Sequence, residues 1–196
     1  MKLKNVLIGS TACLVLSLAI PLVVFSVMKE PPSPKLPILG HVQNFSLKDS
    51  TGQEFHSEQL KGKTWIASFF FTTCSGICPL ISKNMASLTR AFGQREDITL
   101  VSITVNPEQD SSETLAFYAK KFKGDQKNWY FLTGTRVDIT EVVVGSFKLG
   151  DIQEPVFHSA LLPLVDANGF IRGYYDGTKR EDLDRLLKDA THLTHR

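Results

Sequence analysis

Apolar and polar residues alternate along the chain in blocks that predict strands and helices in turn. Residues 64–71 (TWIASFFF) form a continuous apolar and aromatic run, which is typical of a strand buried on both faces. A helix is predicted directly after it, because apolar residues recur at helical spacing from Pro79 until Gly93. The chain therefore passes from a buried strand, through a short loop, into an amphipathic helix.

The same alternation continues beyond this helix. Residues 98–105 predict a strand, and Asp110 with Glu113 resembles a capping box at the start of the next helix. A third strand is predicted at 129–132 and a third helix at 135–147.

Two hairpins and a final helix complete the pattern. FSLKD followed by TGQEF predicts an opening hairpin, and a second hairpin is predicted around the turn at Asn168 and Gly169. An amphipathic helix is predicted from Thr178 to the end. This succession is typical of an α/β domain built on one central sheet.

The first 28 residues differ from the rest of the chain. Val6 to Met28 is a run of twenty-three residues without a charge, about 35 Å long as a helix and enough to cross a bilayer core of roughly 30 Å. A cleavable signal peptide has a shorter apolar region and a small-residue cleavage site, so an uncleaved anchor is favoured. Lys2 and Lys4 predict a cytoplasmic N-terminus and a domain on the periplasmic side of the membrane.

Composition divides the remaining chain into a linker and a domain. Residues 29–39 are rich in proline, which favours an extended tether, and residues 40–196 are predicted to form the domain. Of the 22 basic residues, Lys2 and Lys4 precede the linker, which leaves 20 against 20 acidic residues. This neutral balance excludes a nucleic-acid footprint.

Candidate chemistry is concentrated in the loop between the buried strand and the helix. Cys74 and Cys78 are separated by three residues, and Gly76 lets the loop bend so that both sulfurs reach one small volume. The start of the helix favours negative charge, so Cys78 is expected to carry an accessible thiolate. Two reactive thiols fit either redox exchange or a soft metal, and the longer spacing leans toward the metal without deciding it.

A third ligand would favour the metal. His158 directly precedes the predicted strand 159–166, which could bring its imidazole to the thiols, and thiolates with an imidazole suit copper or zinc. The remaining histidines are expected to be bystanders. His41 and His56 are predicted to face solvent, and His192 and His195 lie in the last helical turn.

Four motifs, in this order, resemble the Sco/SenC proteins. They are TTCSGICP, VNPEQDSSE, FLTG and HSALLPLVDANGF, and the resemblance covers roughly residues 40–190. Sco/SenC proteins are copper chaperones of cytochrome c oxidase assembly with a thioredoxin-like fold. The resemblance thus implies a thioredoxin-like α/β domain with a central mixed sheet and flanking helices.

The resemblance also implies a site and a role. Copper, as Cu(I) or Cu(II), would be held by Cys74, Cys78 and His158, and a disulfide between the cysteines would abolish binding. The implied client is the dinuclear copper centre of cytochrome c oxidase subunit II, reached by ligand exchange. This chain departs from the family pattern at Asn106 and Phe157, where aspartates are common.

Two hypotheses of different classes follow. The first is a metal carrier without turnover, and the second is a membrane-tethered thiol-disulfide oxidoreductase that reduces the cysteines of the oxidase copper site. They differ in the use of His158, since a reductase needs no imidazole there. Outside the site, Asp166 is assigned to turn hydrogen bonding and Arg172 to a solvated face.

Overall fold

The computed structural model describes residues 35–93, 95–124, 128–150 and 160–194. Strands and helices alternate in the predicted order. The strands are β1 (Gly40–His41), β2 (Ser46–Asp49), β3 (Glu54–His56), β4 (Thr64–Phe70), β5 (Ile98–Thr104), β6 (Trp129–Thr133), β7 (Leu161–Val165) and β8 (Phe170–Asp176). The helices are α1 (Cys78–Phe92), α2 (Ser112–Lys121), α3 (Arg136–Thr140) and α4 (Arg180–Thr194).

Two short turns of other helix types join these elements. A 3₁₀ turn, Ser57–Leu60, precedes β4, and α3 continues directly into a π-helical turn, Glu141–Ser146. The predicted helix 135–147 is therefore confirmed as a helical segment, but its second half follows π geometry.

All the described strands belong to one mixed sheet. Its order is β1-β8-β7-β4-β5-β6-β2-β3, with β4, β5 and β6 parallel to one another and the other neighbours antiparallel. Phe70, at the end of β4, pairs with Thr104 at the end of β5. The loops that follow these parallel strands therefore emerge at the same edge of the sheet.

The central strand β4 supplies side chains to both faces of the sheet. All seven of its residues are buried, as the sequence predicted. Ile66 and Phe70 join a hydrophobic cluster that includes residues of α1, α2 and α4, whereas Trp65 and Phe69 join a second cluster on the other face. Helical cover on both faces is what a parallel strand of this composition requires.

The start of α2 differs from the prediction. Ser111 is the cap residue, and its hydroxyl accepts the amide of Thr114 at 3.2 Å. Asp110 is fully buried and its carboxylate accepts hydrogen bonds from Thr72 and Thr104, so the predicted Asp110–Glu113 capping box is wrong. A capping box does form at α3, where Thr135 and Asp138 satisfy each other's backbone amides.

The hairpin of β7 and β8 forms as predicted. Gly169 has φ +84°, a conformation that favours glycine, and the carboxylate of Asp166 accepts the amides of Asn168 and Phe170. Arg172, however, is not on a solvated face. Its guanidinium pairs with Asp166 at 2.8 Å, both side chains being nearly buried, and also donates to the carbonyls of Leu36 and Pro37.

The predicted anchor at residues 1–28 lies outside the described residues, as does most of the linker 29–39. Lys35 to Leu39 are described and have no regular secondary structure. Within the described ranges, the helices are all too short or too polar to traverse a bilayer.

Candidate metal centre

Cys74 and Cys78 lie in and just after the loop that leaves β4 at the carboxyl edge of the parallel strands. The amide of Cys74 donates to the carbonyl of Phe71 at 3.2 Å, which turns the chain back across the end of the strand. Cys78 is the first residue of α1, and Pro79 in the first helical turn needs no amide donor there. A buried strand, a tight loop and a helix start therefore position the two sulfurs.

The two cysteines are buried and are not joined by a disulfide. Their exposed fractions are 8% for Cys74 and 2% for Cys78, and both belong to the apolar cluster that includes Phe70 and Ile81. Gly76 lies against the first sulfur, since a Cβ placed on it would be 3.8 Å from Cys74 Sγ. The thiols therefore face a largely apolar, weakly hydrated environment.

The two thiols differ in acidity. Burial raises the pKa of Cys74, but hydrogen bonds from the Cys78 side chain and from the backbone amides of residues 76–78 more than offset this, and the pKa lies below its ordinary value. Burial, together with the adjacent Cys74, raises the pKa of Cys78 to about 12. The predicted accessible thiolate on Cys78 is thus wrong, because burial and the neighbouring Cys74 outweigh the backbone amides that donate to this sulfur.

Alkylation should report this difference directly. In a Cys13→Ser background at about pH 8, iodoacetamide is expected to modify Cys74 at least about tenfold faster than Cys78, because the thiolate is the nucleophile. Peptide mass spectrometry at timed intervals measures both rates. As pH rises, the Cys74 rate should reach half its maximum below pH 9.0, the ordinary thiol pKa, whereas the Cys78 rate should still be rising there. Equal rates, or faster modification of Cys78, would contradict the assignment.

A buried pair of hydroxyls lies behind the cysteines. The Tyr118 hydroxyl lies 2.9 Å from Ser82 Oγ, and the Tyr118 ring stacks on Phe70 with centroids 4.9 Å apart. Burial raises the pKa of Tyr118 to about 12, with a smaller contribution from the two cysteines. This wall of the site is therefore neutral at physiological pH.

A second feature that the sequence pattern did not reveal is the carboxylate of Asp110. It accepts the amide of Thr72 at 3.0 Å, the hydroxyl of Thr72 at 2.5 Å and the hydroxyl of Thr104 at 2.5 Å. Thr72 lies two residues before Cys74. Asp110 thereby connects the cysteine loop to the end of β5.

The start of β7 lies at the same edge of the sheet as the cysteines. Trp65 pairs with Val165 and the two strands are antiparallel, so Leu161 lies toward the carboxyl end of β4. Ala160 packs against the cluster that contains both cysteines, and its carbonyl accepts the Gly177 amide at 2.7 Å. A Cβ on Gly177 would be 2.8 Å from Ile81 Cδ1, so this junction lies against the first turns of α1.

The structure describes three of the five histidines. His158 and His195 lie outside the described residues, so the predicted third ligand stays a prediction. His41 and His56 are exposed, as predicted, and His192 is partly buried in α4. In the described parts of the chain, no three histidine, cysteine or acidic side chains converge into a metal cluster. Of the three predicted ligands, the described residues therefore include Cys74 and Cys78.

Comparison with known proteins decides the family. The SCO1/SenC family model matches residues 39–194. The chain belongs to the SCO1/SenC family. The predicted resemblance is confirmed, and so is the α/β fold with a mixed central sheet and flanking helices.

Three solved SCO1/SenC structures illustrate the likeness. A SCO1/SenC family lipoprotein from Bacillus anthracis is 31% identical with a TM-score of 0.71, over 79% of this chain and 95% of that one. BsSco, a member of the Sco family of cytochrome c oxidase assembly proteins in which a disulfide switch has been identified, is 28% identical with a TM-score of 0.71, over 82% and 98%. Arabidopsis thaliana ScoI, solved with copper bound, is 25% identical with a TM-score of 0.65, over 79% and 99%.

Proposed function

We propose that this SCO1/SenC chain is a copper carrier that binds one ion through Cys74, Cys78 and His158. The observation that carries the proposal is the buried pair of thiols at the sheet edge where β7 also begins. Copper is the metal bound in the Arabidopsis relative. Soft thiolate ligands with an imidazole are the donor set that copper prefers.

The electrostatics of the pair suit a soft cation. Two adjacent thiolates in an apolar environment repel each other and are poorly hydrated, which is reflected in the raised pKa of Cys78. A bound copper ion would replace the Cys78 proton and offset the charge of both sulfurs. Binding should therefore release protons and strengthen as pH rises.

The place of His158 in the chain is compatible with a third ligand. It precedes Ala160 by two residues, and two residues span at most about 7 Å of extended chain. Ala160 itself packs against the cluster that contains both cysteines. A third ligand two residues before Ala160 is therefore part of the proposal, and the titration below tests it.

The proposed setting is the periplasmic face of the cytoplasmic membrane. Residues 1–28 would be a single-pass anchor with its N-terminus inside, residues 29–39 a tether, and residues 40–196 the copper-carrying domain. The proposed client is the dinuclear copper centre of cytochrome c oxidase subunit II, supported by the oxidase-assembly role of the BsSco family. Copper would pass by stepwise exchange, each protein ligand being replaced by one from the client.

One observation favours the alternative, a thiol-disulfide oxidoreductase acting on the client's cysteines. The pKa of Cys74 is lowered beside a buried Cys78 of raised pKa, an asymmetry suited to a nucleophilic and a resolving thiol. In that reaction, the Cys74 thiolate would attack the client disulfide, and Cys78 would then release the reduced client. The protein would end with a Cys74–Cys78 disulfide.

A copper titration separates the two functions. The reduced full-length protein is expected to bind one Cu(II) per chain with a thiolate-to-copper absorption band. His158→Ala should weaken binding by about 100-fold or more, because groups that only support a metal ligand already contribute roughly 10- to 100-fold. His56→Ala, at an exposed position in β3, is the matched control and should bind like the wild type.

Two outcomes would contradict the carrier. Equal binding by the wild type and His158→Ala would remove the histidine from the site. Failure of the reduced wild type to bind copper, together with efficient reduction of a disulfide substrate, would favour the oxidoreductase.

A further inference from the structure

The side chain of Asp110 is a buried carboxylate whose hydrogen bonds converge from the cysteine loop and the end of β5. It is 0% exposed and accepts three hydrogen bonds, two from Thr72 and one from Thr104. No ion pair among the described residues includes Asp110. Burying a carboxylate costs free energy unless hydrogen bonds compensate, so these donors stabilise its charge.

Helix capping does not explain this arrangement, because Ser111 caps α2. The backbone around Asp110 is itself held in place. Its amide donates to the carbonyl of Asn106 at 3.0 Å, and the amide of Asn106 donates to Thr104 Oγ1 at 3.1 Å. The carboxylate is thus fixed relative to β5, the strand that pairs with β4.

Hydrogen bonds from Thr72 to the Asp110 carboxylate attach the cysteine loop to this fixed point. Both the amide and the hydroxyl of Thr72 bind Asp110, so the chain is held at two points just after β4. The turn from Phe71 to Cys74 closes over the same residue. Cys78, in contrast, is positioned independently by α1, whose apolar side packs in the core.

We propose that Asp110 is a positioning residue for the metal site, holding Cys74 opposite Cys78 through Thr72. The role rests on the proposed copper-binding function and deepens it. Metal sites need their ligands held within a fraction of an ångström, and residues beyond the ligands supply that order. Asp110 holds Cys74 in position on the loop, whereas α1 holds Cys78.

The test compares three variants of the full-length protein by Cu(I) affinity, measured in competition with a chromophoric chelator. Asp110→Asn is expected to lower the affinity roughly 10- to 100-fold. Thr72→Val removes one hydrogen bond between the loop and Asp110 and should lower it about tenfold. Thr99→Val is the matched control, because Thr99 is a buried threonine of β5 whose hydroxyl has no hydrogen-bond partner among the described residues, and its affinity should stay within about threefold.

A second readout needs no metal. Amide hydrogen exchange followed by NMR in the reduced apoprotein should show faster exchange of the Thr72 and Cys74 amides in Asp110→Asn, and of the Cys74 amide in Thr72→Val, by at least about tenfold. Amides in the middle of α1 should keep wild-type protection in both variants. The wild-type pattern in Thr99→Val would locate the effect in the loop rather than in overall stability.

The inference is overturned if Asp110→Asn keeps wild-type copper affinity, or if Thr72→Val and Thr99→Val weaken binding and protection equally. Should Asp110→Asn fail to fold, the comparison of the two threonine variants decides the question. Absence of copper binding in the wild type would instead refute the proposed function. In that case the exchange rates at Thr72 and Cys74 still show whether Asp110 positions the loop.

Discussion

Replacing Cys78 with serine is expected to abolish tight copper binding. The loss in Cu(I) affinity should exceed about 100-fold, since even groups that only support a ligand contribute roughly 10- to 100-fold. A serine hydroxyl is a harder donor than a thiolate and keeps its proton at neutral pH, so it cannot replace the sulfur. Competition with a chromophoric Cu(I) chelator measures the affinity, and metal analysis after desalting measures the stoichiometry.

The chain contains a matched control for this substitution. Cys13 lies in the segment 1–28, remote in sequence from the pair, and Cys13→Ser is expected to leave the affinity unchanged. Cys74→Ser should behave like Cys78→Ser. Retention of near wild-type affinity in Cys78→Ser would remove this residue from the copper site and leave the proposed donor set untenable.

Replacing Phe70 with alanine should lower the free energy of unfolding by about 3–5 kcal/mol, the range found when a buried phenylalanine is truncated. Phe70 is 2% exposed at the end of β4. Its ring stacks on Tyr118 at 4.9 Å between centroids and meets Phe131 edge-on at 5.9 Å. Truncation would open a cavity where the sheet, α2 and the cysteine loop meet. Urea denaturation followed by circular dichroism measures the loss.

Phe117→Ala is the control for this second prediction. Its side chain is 68% exposed on α2, so truncation should change the free energy of unfolding by no more than about 0.5 kcal/mol. Similar losses in the two variants would mean that Phe70 does not anchor the core as described.

Features of the fold that depend on neighbours in sequence were predictable. The apolar run at 64–71 became β4 because a strand buried on both faces needs no polar alternation. The turn at Asn168 and Gly169 formed because its glycine adopts a positive φ. The helix after Pro79 follows from an apolar stripe that packs against the sheet.

Features that depend on distant partners were not predictable. The opening hairpin joins the sheet through β2, which pairs with β6 some eighty residues later in the chain, and no local pattern specifies that edge. Arg172 has the composition of a surface residue, but Asp166 and the carbonyls of Leu36 and Pro37 bury it. The spacing of Asp110 and Glu113 fits a helix cap, yet the buried carboxylate of Asp110 accepts hydrogen bonds from Thr72 and Thr104 instead.

The candidate site shows the same division. The position of the cysteine pair follows from a strand, a loop and a helix in sequence. The acidity of each thiol does not, because it depends on how deeply each sulfur is buried and on the hydrogen bonds that each one receives. Whether His158 completes the donor set remains the central prediction for the titration.

The contacts of Arg172 have a mechanical consequence. The guanidinium donates hydrogen bonds to the carbonyls of Leu36 and Pro37. The chain then continues beside β8, where the amide of Leu39 donates to the carbonyl of Ile171 at 2.8 Å. Tension applied to the chain ahead of Leu36 is therefore borne first by these bonds at the margin of the sheet. The chain between Leu36 and β1 would be peeled from the sheet only after these hydrogen bonds had broken.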